Sequence, residues 1–225
     1  MTESLARTWI VIPLFNEAAV IGDVVRQVQK TFAKVVCVDD GSSDNSAEEA
    51  LAAGAHLVPH PFNLGQGAAL QTGLSYALRF PDAQYFVTFD ADGQHSVADA
   101  ARMVQRLDAE PLDVVIGSRF LDQRTEVSPA KRLVLRTVAA VESATSGMKL
   151  TDAHNGLRAF NRKAAAAIRI TQNRMAHASE ITGQIGKLGL RYAEEPVHIE
   201  YTEYSKAKGQ SLWNSVNILS DLWIK

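Results

Sequence analysis

A chain of 225 residues, 46% hydrophobic and 21% charged, has the composition of a globular domain large enough to bury one substantial core. Its net charge of −2 removes any general attraction to nucleic acid, and a single cysteine, Cys37, excludes an intrachain disulfide framework and fits a reducing compartment. The opening "MTESLARTW" lacks the apolar segment of a signal peptide, and no apolar run reaches the roughly 18 residues of a spanning helix, so an integral membrane protein is not expected.

In chain order, five short runs rich in Val and Ile read as strands: "WIVIPL" (9–14), "KVVCVDD" (34–40), "AHLVPH" (55–60), "QYFVTFD" (84–90) and "DVVIGSR" (113–119). Each is followed by polar or glycine-bearing turn chemistry and then a segment of helical period, such as "EAAVIGDVVRQVQKTF" (17–32) or "SVADAARMVQRL" (96–107). Strands this apolar are covered on both faces. The spacing therefore predicts an α/β fold, a mostly parallel open sheet flanked by helices. From 131 the pattern changes. "KRLVLRTVAAVESATSGM" reads as a helix ending at Gly147, "GLRAFNR" (156–162) as a short strand, "SEITGQIGKLG" (179–189) as a helix, and "RYAEEPVHIEYTEY" (191–204) as an extended stretch. The final "SLWNSVNILSDLWIK" places Trp213, Val216, Leu219 or Ser220, and Trp223 along one face of an amphipathic C-terminal helix. Such a face either docks on the core or lies at a membrane surface.

The whole chain, 1–225, reads as one domain in two unlike halves. Residues 1–118 hold 7 Lys/Arg against 15 Asp/Glu, whereas 119–225 hold 16 against 10. An acidic half beside a basic half suits a site where metal and anionic groups meet, although clustered solvated charge is the commoner cause. In an open α/β sheet, ligands gather at the carboxyl ends of the strands. There the unusual polar clusters fall: Asn16 and Glu17, Asp39 and Asp40, Asn63, Asp90 and Asp92, and Arg119. Helix capping explains Ser42, Ser43 and Asp44 but not the adjacent pair Asp39 and Asp40, since one acid would suffice. "NLGQGAALQTGL" (63–74) is neither a P-loop nor a dinucleotide fingerprint, so its glycines serve close approach of backbone to a ligand or a neighbouring strand. "DADGQHS" (90–96) alternates carboxylates as a shared Mg²⁺ or Mn²⁺ ion prefers. Aspartyl-phosphate chemistry would place such acids after the first strand, with Thr or Val where Gln94 stands. His56 and His60 are four apart in an extended segment and offer no zinc spacing, and hydrogen bonding suits His95 and His154 better than ligation.

Together, "IPLFNE", "VDDGSSDNS", "NLGQGAALQTGL", "DADGQHS", "VIGSRF" and "DAHNGLRAF" resemble glycosyltransferase family 2 in order and spacing over nearly the whole chain. Gln94, the "GSR" ending and the late "SKAKGQS" are similar to dolichyl- and polyprenyl-phosphate sugar synthases. The resemblance implies a GT-A (Rossmann-like) fold, a nucleotide-sugar donor, Mg²⁺ or Mn²⁺, and inversion at the anomeric carbon. It implies a nucleotide-sugar half over 1–119, an acceptor half over 120–211 and the amphipathic segment 212–225. By the same resemblance, Pro13, Glu17, Asp39 and Asp40 hold the nucleoside, and Asp90, Asp92 and Gln94 the metal and diphosphate. Arg119, assisted by Arg132, meets the acceptor phosphate, Asp152 matches a catalytic base, and Lys206 and Lys208 lie in a loop closing on the diphosphate. The acceptor implied is a polyprenyl phosphate at the cytoplasmic membrane face, with peripheral membrane contact and room for a membrane-protein partner. A sugar hydroxyl on a growing polysaccharide is the alternative acceptor, and a non-catalytic nucleotide-sugar sensor the alternative class.

Overall fold

The computed structural model describes residues 2–122, 137–140, 142–144, 146–152, 155–174 and 176–200. All five apolar runs form strands: β1 (Thr8–Leu14), β2 (Lys34–Asp39), β3 (His56–Pro59), β4 (Tyr85–Thr88) and β5 (Val114–Ser118). β6 (Arg158–Asn161) and β7 (Tyr192–Pro196) complete a sheet of order β3-β2-β1-β4-β6-β5-β7 among the described residues. β3, β2, β1 and β4 run parallel, as do β5 and β7, while β6 is antiparallel to both of its neighbours. The fold is the expected mostly parallel α/β sheet, with one reversed strand between its two parallel blocks.

Pleating divides β1 between two cores, because successive side chains point to opposite faces. Ile10, Ile12 and Leu14 join Cys37, Val87 and Phe89 on one face, covered by Val25, Phe32 and Met103. Trp9 and Val11 join Val36, Val38, Phe86 and Ile116 on the other, covered by Leu70, Leu74, Ile181 and Ile185. Each such side chain contributes about 1.5–3 kcal/mol by leaving water. The covering helices are α2 (Ile21–Gln29), α3 (Ser46–Ala52), α4 (Gln66–Ala77) and α5 (Val97–Ala109), with α1 (Glu3–Ala6) before β1. α6 (Arg162–Ala167) and α7 (His177–Lys187) follow β6. Cys37 lies within this interior, and burial pushes its thiol up to about 12, so it is inert packing.

Three boundaries differ from the periodicity. The helix expected from residue 17 begins at Ile21, because residues 16–18 are tied into the turn described below. β7 stops at Pro196, after which a single bridge joins Ile199 to His95. α6 was hidden by its alanines, which carry no amphipathic period. Gly147 has φ +72°, and its amide donates to the Ser143 carbonyl, the left-handed helix stop its position predicts. The amphipathic segment 212–225 and the "SKAKGQS" loop lie outside the described residues.

Candidate functional site

The turn after β1 is bolted to the turn after β2. Asn16 sits at φ +54°; its amide donates to Ser42 Oγ at 3.0 Å, and its Oδ1 accepts from the Ser43 amide at 2.9 Å. The Glu17 amide donates to Ser46 Oγ at 2.7 Å. Ser42 and Ser43 thus bind the neighbouring turn and do not cap α3, whose N-cap is Asn45 with no capping bond from its side chain. Asp44 accepts from the amides of Ala18 and Ser46 at 3.2 and 3.0 Å. Five local groups thereby hold Glu17 beside the ends of β1 and β2.

Asp40 is buried and organises the next loop. Its Oδ1 lies 2.8 Å from His60 Nδ1 and accepts from the Leu64 amide at 2.9 Å, while Oδ2 accepts from the Gly65 amide at 2.7 Å. Three of the four acceptor positions are therefore used within the described residues, and one on Oδ2 is left for a ligand donor. His60 Nε2 rests 2.9 Å from Thr72 Oγ1 on α4. This orients strand, loop and helix around a cleft of about 370 Å³ lined by Pro13, Glu17, Asp40, Asn63, Asp90 and Asp92. Asp39 is not among the lining residues; it accepts from the Ser42 amide at 3.3 Å. The glycines of the 63–74 stretch are close-approach positions. A Cβ on Gly65 or Gly67 would strike the carbonyls of Asn173 or Gln172, and one on Gly73 would lie 2.4 Å from Val11 on β1.

At the end of β4, Asp90 and Asp92 face this cleft in different electrostatic settings. Asp90 Oδ2 lies 2.9 Å from His95 Nε2, and Oδ1 accepts from Gln66 Nε2 at 3.2 Å. Burial by itself would raise the Asp90 carboxyl, but His95, His177 and Arg158 outweigh it and hold the group below the usual range. Asp92 is pushed up to about 6, first by burial and next by the charge of Asp90, with Glu17 adding to the rise. A carboxylate held under excess negative charge is what a divalent cation would relieve. Asp90 and Asp92 are hard oxygen donors of the kind Mg²⁺ and Mn²⁺ take, and could hold such an ion. Among the described residues no cluster of three His, Cys, Asp or Glu side chains suited to a metal is present. Neither acid caps α5, whose N-cap is Ser96, accepting from the Asp99 amide. Gln94 is buried, its amide donating to Asp92 Oδ1 at 3.1 Å and its carbonyl accepting from Glu200.

On the other side of the reversed strand, Arg119 follows β5 and makes a fork with Asp152. Nε and Nη2 donate to the two carboxylate oxygens at 2.6 and 2.7 Å, and the Arg119 amide adds a third bond at 3.1 Å. The Asp152 side chain is 1% exposed and that of Arg119 12%. Ser118 Oγ meets Thr151 Oγ1 at 2.6 Å, and Glu194 on β7 accepts from the amides of Thr151 and Asp152 at 2.8 and 3.2 Å. Buried Arg158 on β6 feels Glu142, Asp90 and Asp152 together; burial lowers its pKa and the three carboxylates oppose that fall.

The structure therefore brings Pro13, Glu17, Asp40, Asp90 and Asp92 to one cleft and pairs Arg119 with Asp152. Arg132, Lys206 and Lys208, and with them His154, lie outside the described residues. Residue types alone missed His60, Gln66, Gly156 and Glu194. Gly156 had a signal in its place between Asp152 and the next strand: a Cβ there would lie 2.5 Å from Asp90 Oδ2.

An acidic cleft across the carboxyl ends of a Rossmann-like sheet, with a reversed strand beside it, defines the GT-A class of fold. Glucosyl-3-phosphoglycerate synthase from Mycobacterium tuberculosis, in a complex with Mn²⁺ and uridine diphosphate, superposes with a TM-score of 0.69 over 89% of this chain and 74% of that one, at 18% identity. Another structure of that synthase holds Mg²⁺ and uridine diphosphate, with a TM-score of 0.68. Residues 9–169 match the family model for glycosyl transferase family 2, and the chain belongs to that family. A UDP-N-acetylglucosamine–dolichyl-phosphate N-acetylglucosaminyltransferase of Methanococcus voltae is 30% identical, over 91% of this chain and 90% of its own. The glycosyltransferase AglJ of Haloferax volcanii is 30% identical over 83% of this chain and 61% of its own. The protein is a glycosyltransferase, as the six sequence blocks implied.

Proposed function

We propose that this glycosyltransferase moves a sugar from a nucleoside-diphosphate donor to a polyprenyl phosphate, with inversion, using Mg²⁺ or Mn²⁺, as a peripheral protein of the cytoplasmic membrane face. The observation that carries the acceptor is the Arg119–Asp152 fork. A hydroxyl acceptor must lose a proton to a free base, whereas both Asp152 oxygens are engaged by Arg119 in a buried setting. A phosphate monoester, with a second pKa of about 6, is already ionised near neutrality and requires no base. It requires a cation held in place. Asp152 is then the residue that orients Arg119 toward the acceptor phosphate, with Arg132 assisting. The dolichyl-phosphate acceptor named for the Methanococcus voltae relative supports the same reading.

On the donor side, Pro13, Glu17 and Asp40 hold the nucleoside, with Asp39 behind them bracing the turn, and Asp90 and Asp92 hold the cation beside Gln94. Held by that pair, a divalent cation would supply charge neutralisation for the departing diphosphate. Lys206 and Lys208 add positive charge to the same group. The acceptor oxygen attacks from the face opposite the leaving group, which inverts the anomeric carbon.

Mass spectrometry of products, with Mn²⁺ or Mg²⁺, a panel of nucleotide sugars and a short polyprenyl phosphate, tests this. A glycosyl phospholipid that depends on metal and disappears in Asp92→Asn is expected. Donor hydrolysis without a lipid product would overturn the acceptor and move it to a sugar hydroxyl. Tight donor binding without turnover under any condition would overturn transfer itself.

A further inference from the structure

The fork that meets the acceptor is not self-supporting, because Asp152 lies in an irregular segment. We infer that Glu194 is a positioning residue that fixes this fork, and through it the affinity for a phosphate-bearing acceptor; this rests on the acceptor reading above. Glu194 stands on the edge strand β7, paired with Ile116 of β5, two residues before Ser118. Its Oε1 accepts from the Thr151 amide at 2.8 Å, Thr151 Oγ1 at 3.0 Å and the Asp152 amide at 3.2 Å. Thr151 Oγ1 also contacts Ser118 Oγ at 2.6 Å, and the next residue on β5 is Arg119. Both members of the fork are thus referred to one carboxylate: Asp152 through its own amide, Arg119 through Ser118 and Thr151. The strand bearing Glu194 is pinned in turn, since Arg106 of α5 donates to the Glu194 carbonyl at 2.9 Å. Burial raises the Glu194 carboxyl, and the Asp152 charge adds to the rise against the amide bonds. A carboxylate placed against another carboxylate to receive two backbone amides and the Thr151 hydroxyl is a structural brace, and what it braces is the fork proposed to meet the acceptor.

The test separates geometry from charge. In Glu194→Gln the amide oxygen replaces Oε1 and keeps the bonds to residues 151 and 152; Glu194→Ala loses them. Losing hydrogen bonds to a charged group corresponds to about tenfold or more in binding. Steady-state kinetics with a short polyprenyl phosphate should show acceptor KM raised at least about tenfold in Glu194→Ala, the donor KM within about twofold, and Glu194→Gln within about threefold of wild type. An unchanged acceptor KM in folded Glu194→Ala, equal rises in both KM values, or a Gln variant as impaired as the Ala variant would overturn the inference. Should Glu194→Ala not fold, Thr151→Val removes the shared hydroxyl, and an unchanged acceptor KM there overturns it equally. The ¹H–¹⁵N signal of Arg119 Nε reports the fork without substrate. Its exchange with water should quicken in Glu194→Ala and not in Glu194→Gln, even if wild type transfers nothing to lipid phosphate and the acceptor reading falls.

Discussion

Replacing Gly156 by alanine perturbs Asp90 through a single methyl group. A Cβ built at this position lies 2.5 Å from Asp90 Oδ2, 2.9 Å from Oδ1 and 3.0 Å from Cγ. Real contacts of this kind are near 3.4 Å or longer, so the carboxylate must retreat by most of an ångström. The movement would pull Oδ2 from His95 and Oδ1 from Gln66, bonds of 2.9 and 3.2 Å. Overpacking costs about 1–3 kcal/mol, which urea denaturation would read as a lower midpoint at unchanged slope. The functional loss should be larger, because a group misplaced by about 1 Å in a reacting site can cost on the order of 100-fold in turnover. The assay is metal-dependent transfer beside Mn²⁺ binding followed by electron paramagnetic resonance. Gly156→Ala with wild-type Mn²⁺ affinity and turnover would refute the placement of Asp90 at the reacting centre.

Other outcomes follow from the same geometry. Gly73→Ala, whose Cβ meets Val11 at 2.4 Å, should destabilise by about 1–3 kcal/mol while leaving the KM for donor unchanged, measured by denaturation and kinetics. His60→Ala removes the ring that holds Asp40 and should weaken nucleoside diphosphate binding by about tenfold, read by calorimetry, with acceptor KM unaffected. Asp92, raised to about 6, binds its proton more tightly folded than unfolded. Its contribution to stability is therefore present at low pH and is lost as pH rises from the ordinary carboxyl range through about 6. A divalent cation must displace that proton, so Mn²⁺ affinity should be flat above about pH 6 and fall about tenfold per unit below it. Asp152→Asn removes the buried charge that Arg119 forks onto and should cost about 3–5 kcal/mol of stability, read by urea denaturation. Arg119→Lys, which keeps charge but loses the fork, should raise acceptor KM with donor KM constant.

Most of the sheet was legible because apolar runs such as "WIVIPL" and "KVVCVDD" have only one way to be covered on both faces. The cleft was legible for a related reason: acids at strand ends, Asp40, Asp90 and Asp92, have no core role to play there. What resisted was anything set by contact between distant segments. Asp40 and Asp39 are adjacent and chemically equal, yet only folding decides that Asp40 receives His60, Leu64 and Gly65 and lines the cleft. Ser42 and Ser43 fit a helix-cap pattern, but the left-handed Asn16 competes for them and wins. No spacing rule sets the bonds between Arg119 and Asp152, which stand 33 residues apart. Glu194 lay unmarked in an alternating stretch because two of its partners are backbone amides, which no side-chain pattern announces.

The reversed strand has a consequence for how this enzyme can be altered. Because β6 is antiparallel to β5, with Ile116 opposite Arg158, β5 ends and β6 begins at the same end of the sheet. Ser118 and Arg158 are thus neighbouring endpoints on the sheet for the stretch between them, and that stretch also reaches the parallel block, where Thr88 Oγ1 of β4 donates to the Gly156 carbonyl at 2.6 Å. Grafting the corresponding segment from another family member between Ser118 and Arg158 would test whether acceptor choice travels with it. Among its described residues an incoming segment would have to match the Thr151 and Asp152 amides on Glu194, Glu142 with Ser179 and Thr182, and the Lys149 amide on Tyr192 Oη.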